Sequence, residues 1–124
     1  MTKYSYGSLT AKVLKFGDGY VILIGGGKIH VGAVSLGEPY TSHEKPSASI
    51  STITRYSHRD DAISASIARQ VVSHLQRPVV VIAGFHQNNL SRTELAQLLE
   101  DSSKLGEIIV KELSKNNQSF QRDS

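Results

Sequence analysis

Residues 78–94 read PVVVIAGFHQNNLSRTE and hold the features that decide the fold. The β-branched run at residues 79–82 favours a buried strand, which is predicted to stop at the Ala-Gly pair that follows. A polar cluster, HQNN, occupies residues 86–89, and Ser91 and Glu94 then stand at the spacing of a capping box. The stretch therefore predicts a strand, a polar turn and a helix start, which together aim an imidazole, amides and backbone N–H groups at a place suited to an anion.

Two other segments repeat the pairing of a histidine with an element of predicted structure. Residues 28–34, KIHVGAV, place His30 inside a strand-like run. Residues 56–61, YSHRDD, place His58 at the predicted start of another helix. The chain thus offers three short motifs in a fixed order, each with its own imidazole.

Taken together, the motifs H-x-G-A-V, S-H-R-D-D and V-V-V-I-A-G-F-H-Q-N-N resemble a family of small domains, the prenylated-flavin chaperones. The resemblance covers residues 28–113. Members of this family accompany gallate decarboxylase and related decarboxylases that use prenylated flavin mononucleotide (FMN). The resemblance implies a fold akin to that of small proteasome-assembly chaperones, and association into homo-oligomers.

Composition excludes several other classes of protein. With 124 residues, 39% of them hydrophobic and 20% charged, the chain fits one globular domain. It contains no Cys, which removes disulfides, thiolate metal sites and a cysteine nucleophile. No apolar run is long enough to span a membrane, and the first residues lack the apolar stretch of a secretory signal, so we expect a cytoplasmic protein.

The chain is slightly basic, with a net charge of +3 and a pI of about 9.3. Its Lys and Arg residues are scattered rather than clustered, which argues against a nucleic-acid partner. A small anionic ligand fits the same charge balance.

The hydrophobic pattern predicts five strands, the first three as an antiparallel meander. Gly17-Asp18-Gly19 is expected to form the first hairpin turn and residues 25–27 (GGG) the second. Residues 37–47 contain two prolines and many polar side chains, which predicts a loop. The predicted strands are residues 9–16, 20–24, 28–36, 48–56 and 78–82.

Two long helices are predicted, at residues 60–76 and 92–113. Apolar residues recur every four positions in the first helix, as expected of a helix that packs on a sheet. Gly106 and the polar residues 101–103 weaken the middle of the second helix and predict a kink or break there. Residues 1–113 then form the domain, and the polar residues 114–124 are predicted to be a disordered tail.

These elements predict a single α/β domain: an antiparallel sheet of about five or six strands with both helices on one face, in the order β-β-β-β-α-β-α. The other face of such a sheet would be exposed unless a partner or a second copy covered it. Homo-oligomers are therefore expected on physical grounds as well as by resemblance.

From the residues alone, the site is a polar pocket suited to an anion. His30 is open to two interpretations: a half-buried strand histidine bonded to a carbonyl, or a site residue. Asp60 and Asp61 are equally open, because carboxylates at a helix start stabilise the helix dipole, yet one could hold His58 or a ligand hydroxyl. His86 and Asn89 follow an apolar strand, where burial of polar groups requires a partner.

The resemblance implies a non-catalytic protein that carries prenylated FMN, or FMN, to a decarboxylase. The phosphate would then lie near the helix starts at Ser57 or Ser91. The implied ligand-binding residues are His30, Gly32, His58, Asp60, Asp61, Gly84, His86, Asn89 and Ser91.

Two alternatives remain at this point. One is a small metal-assisted hydrolase in which His30, His58 and His86 converge, since neutral imidazole is a common zinc ligand, although their spacing shows no metal motif. The other is an assembly chaperone that binds only protein. Its signature would be a broad apolar patch without a pocket.

Overall fold

A computed structural model of the chain describes residues 1–27, 29–55, 60–86 and 90–123, with His86 and residues 116–123 described by their backbone alone. Within these ranges no helix is both long and apolar enough to cross a membrane. The elements are β1 Thr2–Tyr6, β2 Leu9–Phe16, β3 Gly19–Gly27, β4 Ala33–Ser42, β5 Lys45–Thr54, α1 Asp61–Leu75, β6 Val79–His86 and α2 Arg92–Asp123.

The six strands form one mixed sheet in the order β1-β2-β3-β6-β4-β5. β6 lies between β3 and β4, parallel to the first and antiparallel to the second. The prediction of a purely antiparallel sheet and of a three-strand meander was therefore wrong. The reason is that α1 returns the chain to the end of the sheet at which β5 begins. β6 therefore runs in the same direction as β5, and it is inserted between the β2–β3 hairpin and the β4–β5 hairpin.

Both helices cover the same face of the sheet, as predicted. Ile22 of β3 pairs with Val81 of β6, and both are fully buried on the side where Ile67 of α1 packs. Alternate residues of every central strand point to this core. Neither of the described helices covers the face on the other side, which we call the open face and which carries exposed apolar side chains such as Leu23 and Leu36.

The β4–β5 hairpin replaces the loop that was predicted for residues 37–47. Its two-residue turn consists of His43 and Glu44, whose φ angles of 50° and 65° match a turn usually built from Asn-Gly. Pro39 is tolerated because β6 pairs with β4 only as far as Gly37, and Pro46 is tolerated because it lies on β5, the edge strand of the sheet. β1, which pairs with β2, was not predicted at all.

The predicted third strand was also misplaced. The glycines expected to turn at residues 25–27 instead complete β3, where they pair with the end of β6. β6 runs past the predicted stop at Ala83-Gly84 to His86, and β4 begins only at Ala33. His30 therefore lies in the connection between β3 and β4 rather than within a strand.

The helix predictions agree with the structure more closely than the strand predictions do. α1 begins and ends within a residue of the predicted bounds, with Asp60 as its N-cap and Gln76 as its C-cap. α2 is continuous where a kink or break was predicted, because the missing side chain of Gly106 leaves room for Gln70 of α1 at the helix crossing. The helical backbone continues past the predicted end at Leu113 to Asp123, into the segment predicted to be disordered.

Candidate functional site

The connection between β3 and β4 must pass over β6, and it does so on the open face of the sheet. Two glycines make room for it. A Cβ on Gly25 would stand 2.9 Å from the Ile29 side chain, and a Cβ on Gly84 would overlap the backbone carbonyl of His30. The N–H of Gly32 then donates to the Ala83 carbonyl at 2.9 Å, which ties the connection to β6.

Arg55 holds the same connection from the other side. Its backbone N–H donates to the Gly32 carbonyl and its guanidinium donates to the Val31 carbonyl, both at 2.9 Å. Residues 29–32, which we call the crossover loop, are thus bonded both to β6 and to the residue after β5. His30 is carried on this loop.

Asp60 is the buried polar centre of the site. It is only 3% exposed; its Oδ1 accepts the N–H of Phe85 at 3.3 Å, and its Oδ2 lies 3.7 Å from His30 Nε2. Gly32 packs directly against this carboxylate, where any larger residue would collide with it. Asp60 makes no side-chain cap bond to α1, because its φ of −72° and ψ of −10° are helical rather than the extended angles of a capping residue. The carboxylate therefore faces the sheet and the crossover loop.

A cleft of about 290 Å³ opens beside His30, between the crossover loop and the open face. Its lining is mostly apolar, with Lys12, Thr10 and His30 as the polar members. The lining residues are Thr10, Lys12, Leu23, Ile24, Gly25, Ile29, His30, Val31 and Ile82. A small apolar recess with a few polar groups is the usual form of a site for an organic ligand.

The predicted helix start at Ser91 is confirmed as a capping box. The Glu94 N–H donates to Ser91 Oγ at 3.1 Å, and the Ser91 N–H donates to Glu94 Oε1 at 3.2 Å. Asp61 is exposed in the first turn of α1, where its negative charge interacts favourably with the positive end of the helix dipole. For Ser91 and Asp61, a contact with ligand remains a prediction.

The structure brings together four of the predicted site residues: His30, Gly32, Asp60 and Gly84. Of His86 it describes only the backbone, which pairs with Gly27 at the end of β6. His58 and Asn89 lie outside the described residues, so the predicted convergence of the three histidines is not tested. Among the residues that are described, no three His, Asp or Glu side chains form a group that could hold a metal ion.

Comparison with known protein families matches residues 4–114 to the prenylated flavin chaperone LpdD-like domain. The chain belongs to this family. The match spans β1 through the buried part of α2, which includes the crossover loop, Asp60 and the whole lining of the cleft. No curated protein shows significant similarity to the chain. The resemblance inferred from the three motifs is therefore confirmed, and it extends further toward the N-terminus than they did.

Sequence reasoning missed the floor of the cleft. Lys12 and Leu23 face each other across β2 and β3, and Ile82 is the next residue along the same row. The alternation in residues 9–16 already placed Lys12 on the face opposite Leu9 and Val13, so a signal for the open face was present. What the pattern could not show is that the crossover loop returns above that face.

Proposed function

We propose that this chain is a non-catalytic chaperone that binds prenylated FMN and delivers it to a decarboxylase. Membership of a prenylated flavin chaperone family supports the class of ligand. For this chain, the main support is the apolar cleft beside His30, because the wall and floor of the cleft suit a flat, largely apolar ring system.

His30 and Asp60 are proposed to shape the polar end of this site. A buried carboxylate that accepts a backbone N–H and lies near the imidazole holds the crossover loop in one position against β6. A preformed wall lowers the entropy lost when a ligand binds. His58, Asp61, His86, Asn89 and Ser91 remain proposed contacts to the rest of the ligand.

The open position of the cleft fits a carrier better than an enzyme. Its floor lies on the open face, where Leu23 is 36% exposed, so a bound ring would stay within reach of a partner protein. Catalysis generally requires a site that excludes water and fixes the reacting groups. A carrier has to protect its ligand and then release it.

The test has two steps. The chain is first purified from cells that make prenylated FMN and from matched cells that do not, and the absorbance spectra are compared. We expect a bound flavin chromophore only in the first preparation. The loaded protein is then mixed with a decarboxylase that lacks its cofactor, and the recovery of activity is followed.

Recovery should be faster with the loaded chain than with the same concentration of the free cofactor. The chain without ligand, added together with the decarboxylase, controls for simple stabilisation of the enzyme. A colourless preparation whose addition leaves decarboxylase activity unchanged would refute the proposed function.

A protein-only assembly chaperone is the second candidate, and one observation favours it. The open face carries exposed apolar side chains beyond the cleft, including Leu14, Leu36 and Ile53, with Ile53 78% exposed. Patches of this kind mark protein contacts. This candidate predicts that the unloaded chain raises the yield of folded decarboxylase without any flavin bound.

A further inference from the structure

We propose that Lys3 and Lys12 bind the phosphate of the carried flavin while the cleft beside them holds its ring system. This inference rests on the proposed function and adds to it the position and polarity of the ligand. It assigns the anion to the open face of the sheet rather than to a helix start.

Strand register places the two lysines and the cleft floor in one row. Lys3 of β1 is directly opposite Lys12 of β2, Lys12 is opposite Leu23, and Leu23 is beside Ile82. Residues paired in this way point to the same side of a sheet. The neighbouring pair confirms the side, because the hydroxyls of Ser5 and Thr10 lie 3.3 Å apart and Thr10 lines the cleft.

Two lysines directly opposite each other repel, and such pairs destabilise a sheet. Both side chains are exposed, and in the described part of the chain no ion pair joins either of them to a carboxylate. A dianionic phosphate bound between the two ammonium groups would relieve this repulsion and accept charge-assisted hydrogen bonds from both.

Both helix starts, by contrast, already hold negative charge. Glu94 closes the capping box at α2, and Asp60 and Asp61 stand at the start of α1. A phosphate at either place would face a carboxylate within the first turn, where like charges oppose each other. The described charges therefore favour the lysine pair.

The dimensions of the sheet agree with this assignment. Adjacent strands are about 4.8 Å apart, so Lys3 lies roughly 10 Å from the Leu23 row of the cleft floor. A phosphate on a short polyol chain can bridge that span from a ring seated between Leu23 and the crossover loop. Lys12 lies between Lys3 and Leu23 and is therefore adjacent to the proposed positions of both the phosphate and the ring.

The experiment compares FMN with riboflavin, which has the same ring and polyol but no phosphate. Binding is measured by fluorescence quenching for the wild type and for the double variant Lys3→Gln with Lys12→Gln. Lys111→Gln, at an exposed position of α2, is the control for the loss of one surface charge. Leu23→Glu tests the floor by placing a carboxylate beside Lys12.

The wild type and Lys111→Gln should bind FMN at least tenfold more tightly than riboflavin, and this preference should shrink as salt is raised. The double lysine variant should lose the preference while keeping its affinity for riboflavin. Leu23→Glu should weaken the binding of both ligands. Circular dichroism and thermal melting show whether each variant is folded.

Unchanged FMN affinity in the folded double variant would overturn the lysine assignment and leave the carrier function standing. Unchanged binding by folded Leu23→Glu would overturn the assignment of the ring to the cleft. If the wild type binds neither FMN, riboflavin nor prenylated FMN, both this inference and the proposed function fail.

Discussion

At the scale of single residues, Asp60 links the fold to the site. Its carboxylate is 3% exposed and bonds to Phe85 N–H near His30, while Gly32 packs against it. Burial of a carboxylate is costly without a hydrogen-bond partner, and here the Phe85 N–H supplies one. The same contacts hold the crossover loop against β6.

We predict that Asp60→Ala lowers the free energy of unfolding by about 1–3 kcal/mol, the usual cost of an unsatisfied buried hydrogen-bond donor, here the Phe85 N–H. Asp61→Ala is the matched control; Asp61 is exposed, and we expect a loss of about 0.3–1 kcal/mol from the helix dipole. Urea unfolding measures both. Equal losses in the two variants would show that Asp60 acts only through the dipole.

We expect Tyr20 to make the stability of the fold sensitive to alkaline pH. Burial raises the pKa of the Tyr20 phenol, and Tyr4 adds to this, although nearby Arg77 acts in the opposite direction. A raised pKa means that the folded state keeps the proton at a pH where the unfolded state has lost it. Its stabilising contribution is full below the unfolded pKa and is lost as pH rises through the folded value.

We therefore predict that the wild type loses stability as the pH rises above about 10, the ordinary pKa of tyrosine. Tyr20→Phe should lose less over the same range, because the titrating phenol is gone. Tyr40→Phe, at a position 47% exposed, should behave like the wild type. Identical pH profiles for all three proteins would assign the alkaline transition to other groups.

At the scale of elements, α2 shows how a local signal and a tertiary contact combine. The capping box at Ser91 and Glu94 begins the helix. Its buried residues, from Leu98 to Leu113, then pack on the core. The start is set by local chemistry, and the course of the helix past Gly106 is set by its contact with α1.

We predict that Ser91→Ala lowers the free energy of unfolding by about 1 kcal/mol through the loss of the cap. Ser66→Ala, at an exposed interior position of α1, should instead leave stability unchanged or raise it slightly, because Ala is the better helix former. Urea unfolding with and without FMN also tests the proposed ligand contact. A ligand affinity that falls in Ser91→Ala beyond the stability effect would establish that contact.

The last turns of α2 are predicted to be dispensable. Leu113 is the last buried residue described; Ser114 and Lys115 are exposed, and Lys115 forms a surface ion pair with Glu112. Such pairs contribute little. A truncation after Leu113 should therefore keep the Tm of the full chain in calorimetry, and a clear drop would show that residues 114–124 dock on the body or on a second copy.

At the scale of the whole molecule, the described helices cover the sheet on one side only. The helices bury one face, while the open face leaves Leu14, Leu23 and Leu36 between 36% and 44% exposed. A mixed sheet with an apolar uncovered face is unusual in a monomer. Homo-oligomer formation is therefore still the expectation.

We predict that sedimentation equilibrium will show self-association that Leu36→Asp weakens, because a carboxylate on the open face would have to be desolvated in the interface. Leu99→Asp on α2 is the matched control, since Leu99 is 39% exposed and Leu36 is 44% exposed. A monomeric wild type at all concentrations would contradict the prediction, as would equal effects of the two substitutions.

Several parts of the fold were predictable because their causes lie within a few residues. The β2–β3 hairpin turns at Gly17, whose φ is 59°, and the apolar stripe of α1 sets its bounds. The hairpin turn at His43 and Glu44 was missed because this pair is not the Asn-Gly or Asp-Gly that usually marks a two-residue hairpin turn. His30 was predicted to be part of the site, yet its place on a loop above the sheet was not.

The sequence by itself determined the local elements, the family motifs and the choice of which side chains face the core, since periodicity and capping act over one or two turns of chain. Only the tertiary structure decided that β6 enters between β3 and β4, parallel to the first. That insertion forces the crossover loop over Gly25 and Gly84 and turns Asp60 toward His30. Pairing between strands that are distant in sequence cannot be predicted from short segments of sequence. The stabilising free energy comes from backbone hydrogen bonds and burial that exist only once the sheet has formed.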